Sequence, residues 1–101
     1  MKIRSKKELQ EAEDEYYNKL WLVRTVFFSG ETLDEYAKSN DPEKQKIAAK
    51  ARAHEKEYID KYYNGDRSLV ENMGAWDYGY ISGTLQALRW MLGDEWGVLD
   101  T

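Results

Sequence analysis

The chain has 101 residues, of which 42% are hydrophobic and 34% charged, and its formal net charge is −4. This balance excludes a disordered chain and predicts a single domain over residues 1–101 with a modest core. Cysteine is absent, which excludes disulfides and thiolate metal sites and favours a reducing, cytoplasmic location. The basic start leads into acidic residues rather than an apolar run, so we expect no signal peptide.

The first predicted helix runs over about residues 5–28. Ser5 and Glu8 have the spacing of a capping box, and Ser29-Gly30 is the expected stop. Apolar residues recur in steps of three and four and form one stripe: Leu9, Ala12, Tyr16, Leu20, Val23 and Phe27. The carboxylates near the helix start are interpreted as a solvated face: Glu11, Glu13, Asp14 and Glu15.

Two further helix starts are predicted in the next part of the chain. The pair Thr32 and Glu35 has capping-box spacing and predicts a short connector helix over about residues 32–39. Asp41-Pro42 predicts the start of a second long helix, over about residues 42–63 and ending at Asn64-Gly65. We expect it to be the most water-exposed of the long helices, because charged residues interrupt its thin apolar stripe: Lys46, Lys50, Arg52, Glu55, Lys56 and Glu57.

The last predicted helix covers about residues 68–92, with a capping box at Ser68 and Glu71 and a left-handed C-cap at Gly93. It is apolar almost all round, which is typical of a buried helix. Asp77 and Arg89 lie within it, and each would cost about 3 kcal/mol at the centre of a bilayer. We therefore expect a soluble protein without a membrane span.

Small residues recur every four positions along this helix and form a shallow ridge: Ala75, Gly79, Gly83 and Ala87. Three interpretations of the ridge stay open. The favoured one is close helix packing, in which the first or second helix crosses the ridge at short range. The second is a homodimer in which the ridge meets its twin, and the third is a ligand against bare backbone.

Aromatic residues are frequent, with eight tyrosines and four tryptophans. Core packing accounts for Trp76 and Tyr80. A bundle of this size cannot bury all the others, which favours an interaction surface, with partial burial as the alternative. The candidate interaction residues are Tyr17, Trp21, Tyr63, Tyr78, Trp90 and Trp96.

Three polar residues are candidates for burial. His54 is the single histidine, which cannot build a zinc site alone, and we interpret it as half-buried at a helix seam. Arg89 is expected to pair with an acid of the C-terminal tail, and Asp77 to accept from a tyrosine of the first helix. Asp77 and its surrounding tyrosines are also the one constellation that suggests a small-ligand pocket. No catalytic residue, metal ligand or cofactor is predicted.

Together these features predict an all-α, three-helix up-down-up bundle with a short connector helix and a docked C-terminal tail. The expected function is non-catalytic: a protein–protein interaction module, such as a small acidic adaptor or inhibitor, that binds a partner or itself. The first alternative is a small-ligand binder near Asp77. The second is a nucleic-acid-associated protein, which the interleaved acids disfavour, and which would use basic residues of the second helix: Lys44, Lys46, Lys50, Arg52 and Lys56.

Overall fold

The computed structural model describes residues 2–95, and within them it contains helices and no strand. The helices are α1 (Lys6–Arg24), a π-helical segment (Thr25–Ser29), α2 (Gly30–Lys38), α3 (Pro42–Tyr62), α4 (Ser68–Glu71) and α5 (Ala75–Met91). The prediction of an all-α fold is confirmed. The up-down-up arrangement of three long helices stays a prediction, and the docked tail with Trp96 lies outside the described residues.

Within the described residues the chain divides into two compact units: residues 2–20 together with 74–95, and residues 21–73. Buried apolar residues of the first unit are Leu20, Ile81, Leu85 and Leu88. Those of the second unit are Leu22, Val23, Leu33, Ala48, Ile59 and Val70. Among residues 2–95, the structure contains no helix with both the length and the apolar character needed to cross a membrane.

The capping box predicted at the start of α1 is present. The hydroxyl of Ser5 accepts from the backbone N–H of Glu8 at 3.1 Å, and the Ser5 N–H donates to the Glu8 carboxylate at 3.2 Å. These two bonds satisfy backbone donors that no intrahelical carbonyl can reach.

The predicted stop at Ser29-Gly30 is wrong, because the chain stays helical from Lys6 to Lys38. Gly30 adopts ordinary right-handed helical angles, φ −57° and ψ −48°, rather than the left-handed conformation of a C-cap glycine. Instead of a stop, a wider π-helical segment connects α1 to α2 without a break in the helix. Phe27 and Phe28 of this segment are exposed. Thr32 consequently lies inside α2, so the second capping box is not a helix start.

The boundaries of α3 are close to their predicted positions. The Asp41 carboxylate accepts from the Glu43 N–H at 2.9 Å, and Pro42 occupies the first turn, where its missing N–H has no consequence. At the other end Asn64 and Gly65 have positive φ values of 54° and 73°. This left-handed pair turns the chain out of the helix.

The predicted helix over 68–92 is wrong at its start. Both the N–H and the hydroxyl of Ser68 donate to the Asp66 carboxylate, so Ser68 does not cap a long helix, and α4 ends after one turn. A new helix, α5, begins at Ala75, where the Asp77 carboxylate accepts from the Gly74 N–H at 3.1 Å. Its end is as predicted: Gly93 has φ 114°, and the Asp94 N–H donates to the Arg89 carbonyl at 2.9 Å.

Candidate functional site

The most unusual surface of the described chain is the outer side of α5. Ile81, Leu85 and Leu88 occupy its buried side. The opposite side carries no charged residue over the full length of the helix. We call this side the uncharged face; its members are exposed except for the half-buried Ala87, and they are Ala75, Trp76, Gly79, Tyr80, Gly83, Ala87, Trp90 and Met91.

The aromatic residues at the start of the uncharged face are held in place. The Trp76 and Tyr80 rings stack with centroids 5.5 Å apart and planes 15° apart. The pKa of Tyr16 in α1 is raised by partial burial of its hydroxyl, with the neighbouring Tyr80 adding to the rise and Lys19 opposing it. The Lys19 ammonium lies 4.7 Å from the Tyr16 ring centroid. The stacking restricts the orientation of an exposed aromatic pair beside Tyr16.

The expectation that Trp76 and Tyr80 belong to the core is wrong, because their exposed fractions are 75% and 53%. The apolar character of α5 on all sides concealed which side is buried. Leucine and isoleucine, which carry no polar atom, cover the inner side, and the aromatic residues with a polar atom cover the outer side. That division of residue types is the signal in the sequence that could have located the uncharged face.

The favoured interpretation of the ridge, close packing of another helix of the same chain, is also wrong for the residues described here. A Cβ added at Gly79 or Gly83 would have no heavy atom within 4 Å beyond the local helix backbone, and both glycines are exposed. Glycine within a helix costs about 0.5–1 kcal/mol relative to alanine, and no contact within residues 2–95 offsets that cost. The ridge forms the shallow middle of the uncharged face, between Trp76 and Trp90.

Both charged residues of α5 are held by their own unit. The Asp77 carboxylate accepts a hydrogen bond from the Gly74 N–H, whereas the sequence predicted a tyrosine of the first helix as its donor. The Arg89 Nε lies 3.4 Å from the Glu13 carboxylate, and its guanidinium lies 5.8 Å from the centroid of the Tyr17 ring. Glu13 is therefore an ion-pair partner rather than part of a solvated face, and Arg89 does not depend on the tail acids for a partner.

The predicted interaction residues divide into exposed and half-buried ones. Tyr17 and Trp90 are exposed at 52% and 51%, whereas Trp21, Tyr63 and Tyr78 are half-buried. Trp96 lies outside the described residues. The sequence prediction therefore found one end of the uncharged face, at Trp90, and missed the other, at Trp76 and Tyr80.

His54 and Trp21 lie together in an aromatic cluster of the second unit. His54 is half-buried and stacks on Tyr58 with ring centroids 5.9 Å apart, while Trp21 meets both rings edge-on. The His54 Nδ1 lies 3.4 Å from the Glu57 carboxylate. This cluster joins α1 to α3, which is the structural role expected for a histidine at a helix seam.

A charged cleft of about 370 Å³ also lies in the second unit, lined by Arg52, Glu55, Lys56, Ile59, Asp60, Gly65 and Arg67. Its centre is Glu55, which is only 2% exposed and which accepts two bonds from the Arg52 Nη1, at 2.8 and 3.0 Å. The hydrogen bonds to Glu55 raise the pKa of Arg52, with smaller contributions from Asp34, against the lowering effect of burial. The sequence prediction treated Glu55 as one of several exposed charges and missed this network.

The charged side chains of that cleft form ion pairs with other residues of the same unit. The Arg52 Nη2 also donates to the Asp34 carboxylate at 2.8 Å and to the Gly30 carbonyl at 3.1 Å, which ties α2 to α3. Lys56 pairs with Asp60 at 2.8 Å. An anion entering the cleft would have to displace carboxylates already in place, so the arrangement fits a structural role better than a binding role.

The same pairing weakens the nucleic-acid alternative, since Arg52 and Lys56 are two of its five basic residues. Lys44 lies 5.3 Å from the centroid of the Tyr36 ring, and Lys46 and Lys50 are exposed. A phosphate-binding stripe requires several uncommitted cations in a row, and α3 offers fewer than its composition suggests.

Within residues 2–95, no group of three or more histidine or acidic side chains is arranged to hold a metal ion. Comparison of the chain with protein-family models, with curated proteins and with solved structures finds no match.

Proposed function

We propose that the protein is a non-catalytic protein–protein interaction module that docks through the uncharged face of α5. The observation that carries this proposal is the exposure of Trp76, Tyr80, Trp90 and Met91 on one side of a single helix that presents no charge there. Water-exposed apolar patches larger than a few hundred Å² are uncommon on monomers and typically mark interaction sites. The cysteine-free chain suits a reducing compartment, where we expect it to act.

The composition of the uncharged face supports the same function. Tryptophan and tyrosine are enriched among the residues that contribute most binding energy at protein interfaces. The stacking of Trp76 on Tyr80 restricts the conformations of part of this surface before a partner arrives. Pre-organisation of this kind lowers the entropy lost on binding.

A site-specific photo-crosslinking experiment tests the proposal. A benzophenone amino acid is placed at Ala87, in the middle of the uncharged face, and in a control variant at the exposed Ala53 of α3. Both variants are produced in the native host, irradiated and analysed by mass spectrometry. We expect defined crosslinked species from position 87, to another protein or to a second copy, and only background from position 53.

The proposal would be abandoned if position 87 gave no protein crosslink above the background at position 53. Crosslinks equally strong at both positions would also contradict it, because they would show collision rather than docking. Circular dichroism of each variant confirms that the substitution has left the helices intact.

A further inference from the structure

We propose that the occupant of the uncharged face is a second copy of this chain, with the two α5 helices antiparallel and crossing at Gly83. This inference rests on the proposed function, because it names the partner of the same surface. It depends on the size pattern, the charge and the area of that surface.

The middle row of the uncharged face, from Trp76 to Trp90, has a size pattern that is symmetric about Gly83. From Trp76 the face passes to Gly79, Gly83, Ala87 and Trp90 in steps of three, four, four and three residues. In an antiparallel pair related by a two-fold axis at Gly83, each residue meets the one equally far away on the other side. Trp76 then meets Trp90 of the second copy, Gly79 meets Ala87, and Gly83 meets itself.

Two crossing helices are closest at the crossing point and diverge toward their ends. Along the middle row the smallest residues lie at the centre and the two tryptophans at the ends, each about 10 Å along the axis from Gly83, while Tyr80 lies to one side of the row. Glycines at the crossing allow the two backbones to approach closely, and the diverging ends leave space for a tryptophan pair. The cost of two exposed glycines within a helix is then offset in the dimer.

Charge favours a second copy in this orientation. Each chain has a net charge of −4, so two copies repel one another over most of their surfaces, and least where they present no charge. Asp77 and Arg89 are held by Gly74 and Glu13, away from this contact. Antiparallel helix dipoles attract each other, whereas a parallel pair would place equal ends together.

The available area is sufficient for a weak dimer. Trp76, Tyr80, Trp90 and Met91 are exposed at 75%, 53%, 51% and 49%. With 150–250 Å² for a buried aromatic side chain, these four residues alone contribute roughly 500 Å² per chain. The ridge adds to this, and the total approaches the roughly 600–800 Å² per partner of stable interfaces. We therefore expect a dimer with micromolar rather than nanomolar affinity.

Cysteine crosslinking of the purified chain tests the arrangement directly, since the natural sequence contains no cysteine. Gly79→Cys and Ala87→Cys are prepared separately with tags of different mass, then mixed and oxidised mildly. A disulfide requires Cα atoms roughly 4.4–6.8 Å apart. We expect the mixture to form the disulfide between Gly79→Cys and Ala87→Cys, and each variant alone to stay near background. Ala53→Cys on α3 supplies that background.

A second measurement does not depend on disulfide geometry. Analytical ultracentrifugation of the unmodified chain should show a monomer–dimer equilibrium, and Gly83→Leu should raise the dissociation constant at least about tenfold. Because a Cβ at Gly83 would have no heavy atom within 4 Å beyond the local helix backbone, this variant is expected to keep its helical circular dichroism.

Each opposite result has a definite meaning. Self-crosslinking of Gly79→Cys as strong as in the mixture would indicate a parallel pair and overturn the antiparallel arrangement. A strict monomer at all concentrations would overturn self-association. In that case crosslinks from position 87 to a different protein would still support the proposed function, whereas their absence would remove both proposals.

Discussion

At the scale of single residues, the contribution of a charge depends on its burial and its partners rather than on its position in the sequence. Glu55 and Lys56 are neighbours on α3, yet Glu55 is 2% exposed and Lys56 is 78% exposed at its side chain. Arg52 supplies Glu55 with two hydrogen bonds, and Arg67 adds a longer contact at 3.6 Å. A buried carboxylate of this kind depends on those cations to offset the cost of removing its charge from water.

The first prediction compares the two ion pairs of α3. Replacing Arg52 with methionine should lower the free energy of unfolding by about 3 kcal/mol, because Glu55 then loses its main partner while buried. Lys56→Met, which removes the exposed pair with Asp60, should change it by less than about 1 kcal/mol. Urea denaturation monitored by circular dichroism measures both. Equal losses in the two variants would show that the Arg52–Glu55 pair has no special structural role.

The second prediction concerns the pKa of Glu8. The Ser5 N–H and the Arg4 side chain lower this pKa below its ordinary value of 4.5, since both donate to the ionised carboxylate. A lowered pKa in the folded state stabilises the fold above the unfolded-state pKa, and the stabilisation disappears as the pH falls through the folded-state value.

In a titration followed by nuclear magnetic resonance, Ser5→Gly should move the pKa of Glu8 upward, because the start of the helix loosens and the capping bonds weaken. Ser5→Thr keeps the hydroxyl and should leave the pKa of Glu8 low. A pKa that is identical in the wild type and in Ser5→Gly would mean that the Ser5 hydroxyl contributes nothing, and that the backbone N–H at position 5, which glycine retains, acts together with Arg4.

At the scale of helices, a capping motif predicts a helix end correctly when its hydrogen bonds involve only residues at that end. Asp41-Pro42 and Gly93 belong to this class, since the capping bonds involve residues within one turn. Ser29-Gly30 failed because Gly30 can also continue a helix, and its carbonyl receives a bond from Arg52, 22 positions away. Ser68 failed because Asp66 accepts both of its donors. Such competition is not visible in the spacing of a motif.

In the candidate site, too, features determined within one helix were predicted and features determined by distant contacts were not. The sequence identified the small-residue ridge and Trp90, because spacing along one helix determines them. Apolar periodicity did not show which side of α5 is buried, because nearly every position is apolar, and only the division between aliphatic and aromatic residues marks the two sides. Trp76 and Tyr80 were therefore assigned to the core, and Glu55 to the surface, for want of information about distant contacts.

The third prediction tests whether the ridge is open. Gly79→Ala should raise the free energy of unfolding by about 0.5–1 kcal/mol, because alanine restricts the unfolded chain and its methyl group has space in the helix. Gly65→Ala is the control and should destabilise, since Gly65 has φ 73° and the Asp60 Oδ1 would lie 3.3 Å from the new Cβ. The measurement is made in dilute solution, so that dimerisation does not contribute.

A loss of stability in Gly79→Ala comparable to that in Gly65→Ala would show that another part of the molecule covers the ridge. The interpretation of the uncharged face as an open surface would then have to be withdrawn.

At the scale of the whole molecule, an acidic chain presents an apolar side without charge. The C-terminal residues 64–101 contain six acidic and two basic residues. The uncharged face lies within this range, yet none of its eight members is one of those charged residues. Copies of such an acidic chain repel one another, and the proposed contact through the uncharged face is one place where that repulsion is small.

The fourth prediction is the salt dependence of association. Raising sodium chloride from about 50 to about 500 mM should strengthen the dimer, or leave it unchanged, because salt screens the repulsion between copies of net charge −4. Sedimentation equilibrium at several ionic strengths provides the measurement. Weakening of the dimer by salt would indicate that ion pairs, rather than the uncharged face, hold it together.

The π-helical segment Thr25–Ser29 has a consequence for evolution by insertion and deletion. A π turn holds about one residue more than an α turn, so loss of one residue there converts the segment to α geometry without opening a gap in the backbone. Elsewhere in Lys6–Lys38, the same loss would rotate every following side chain by about 100°. Homologues that are one residue shorter should therefore carry the missing position between Thr25 and Ser29.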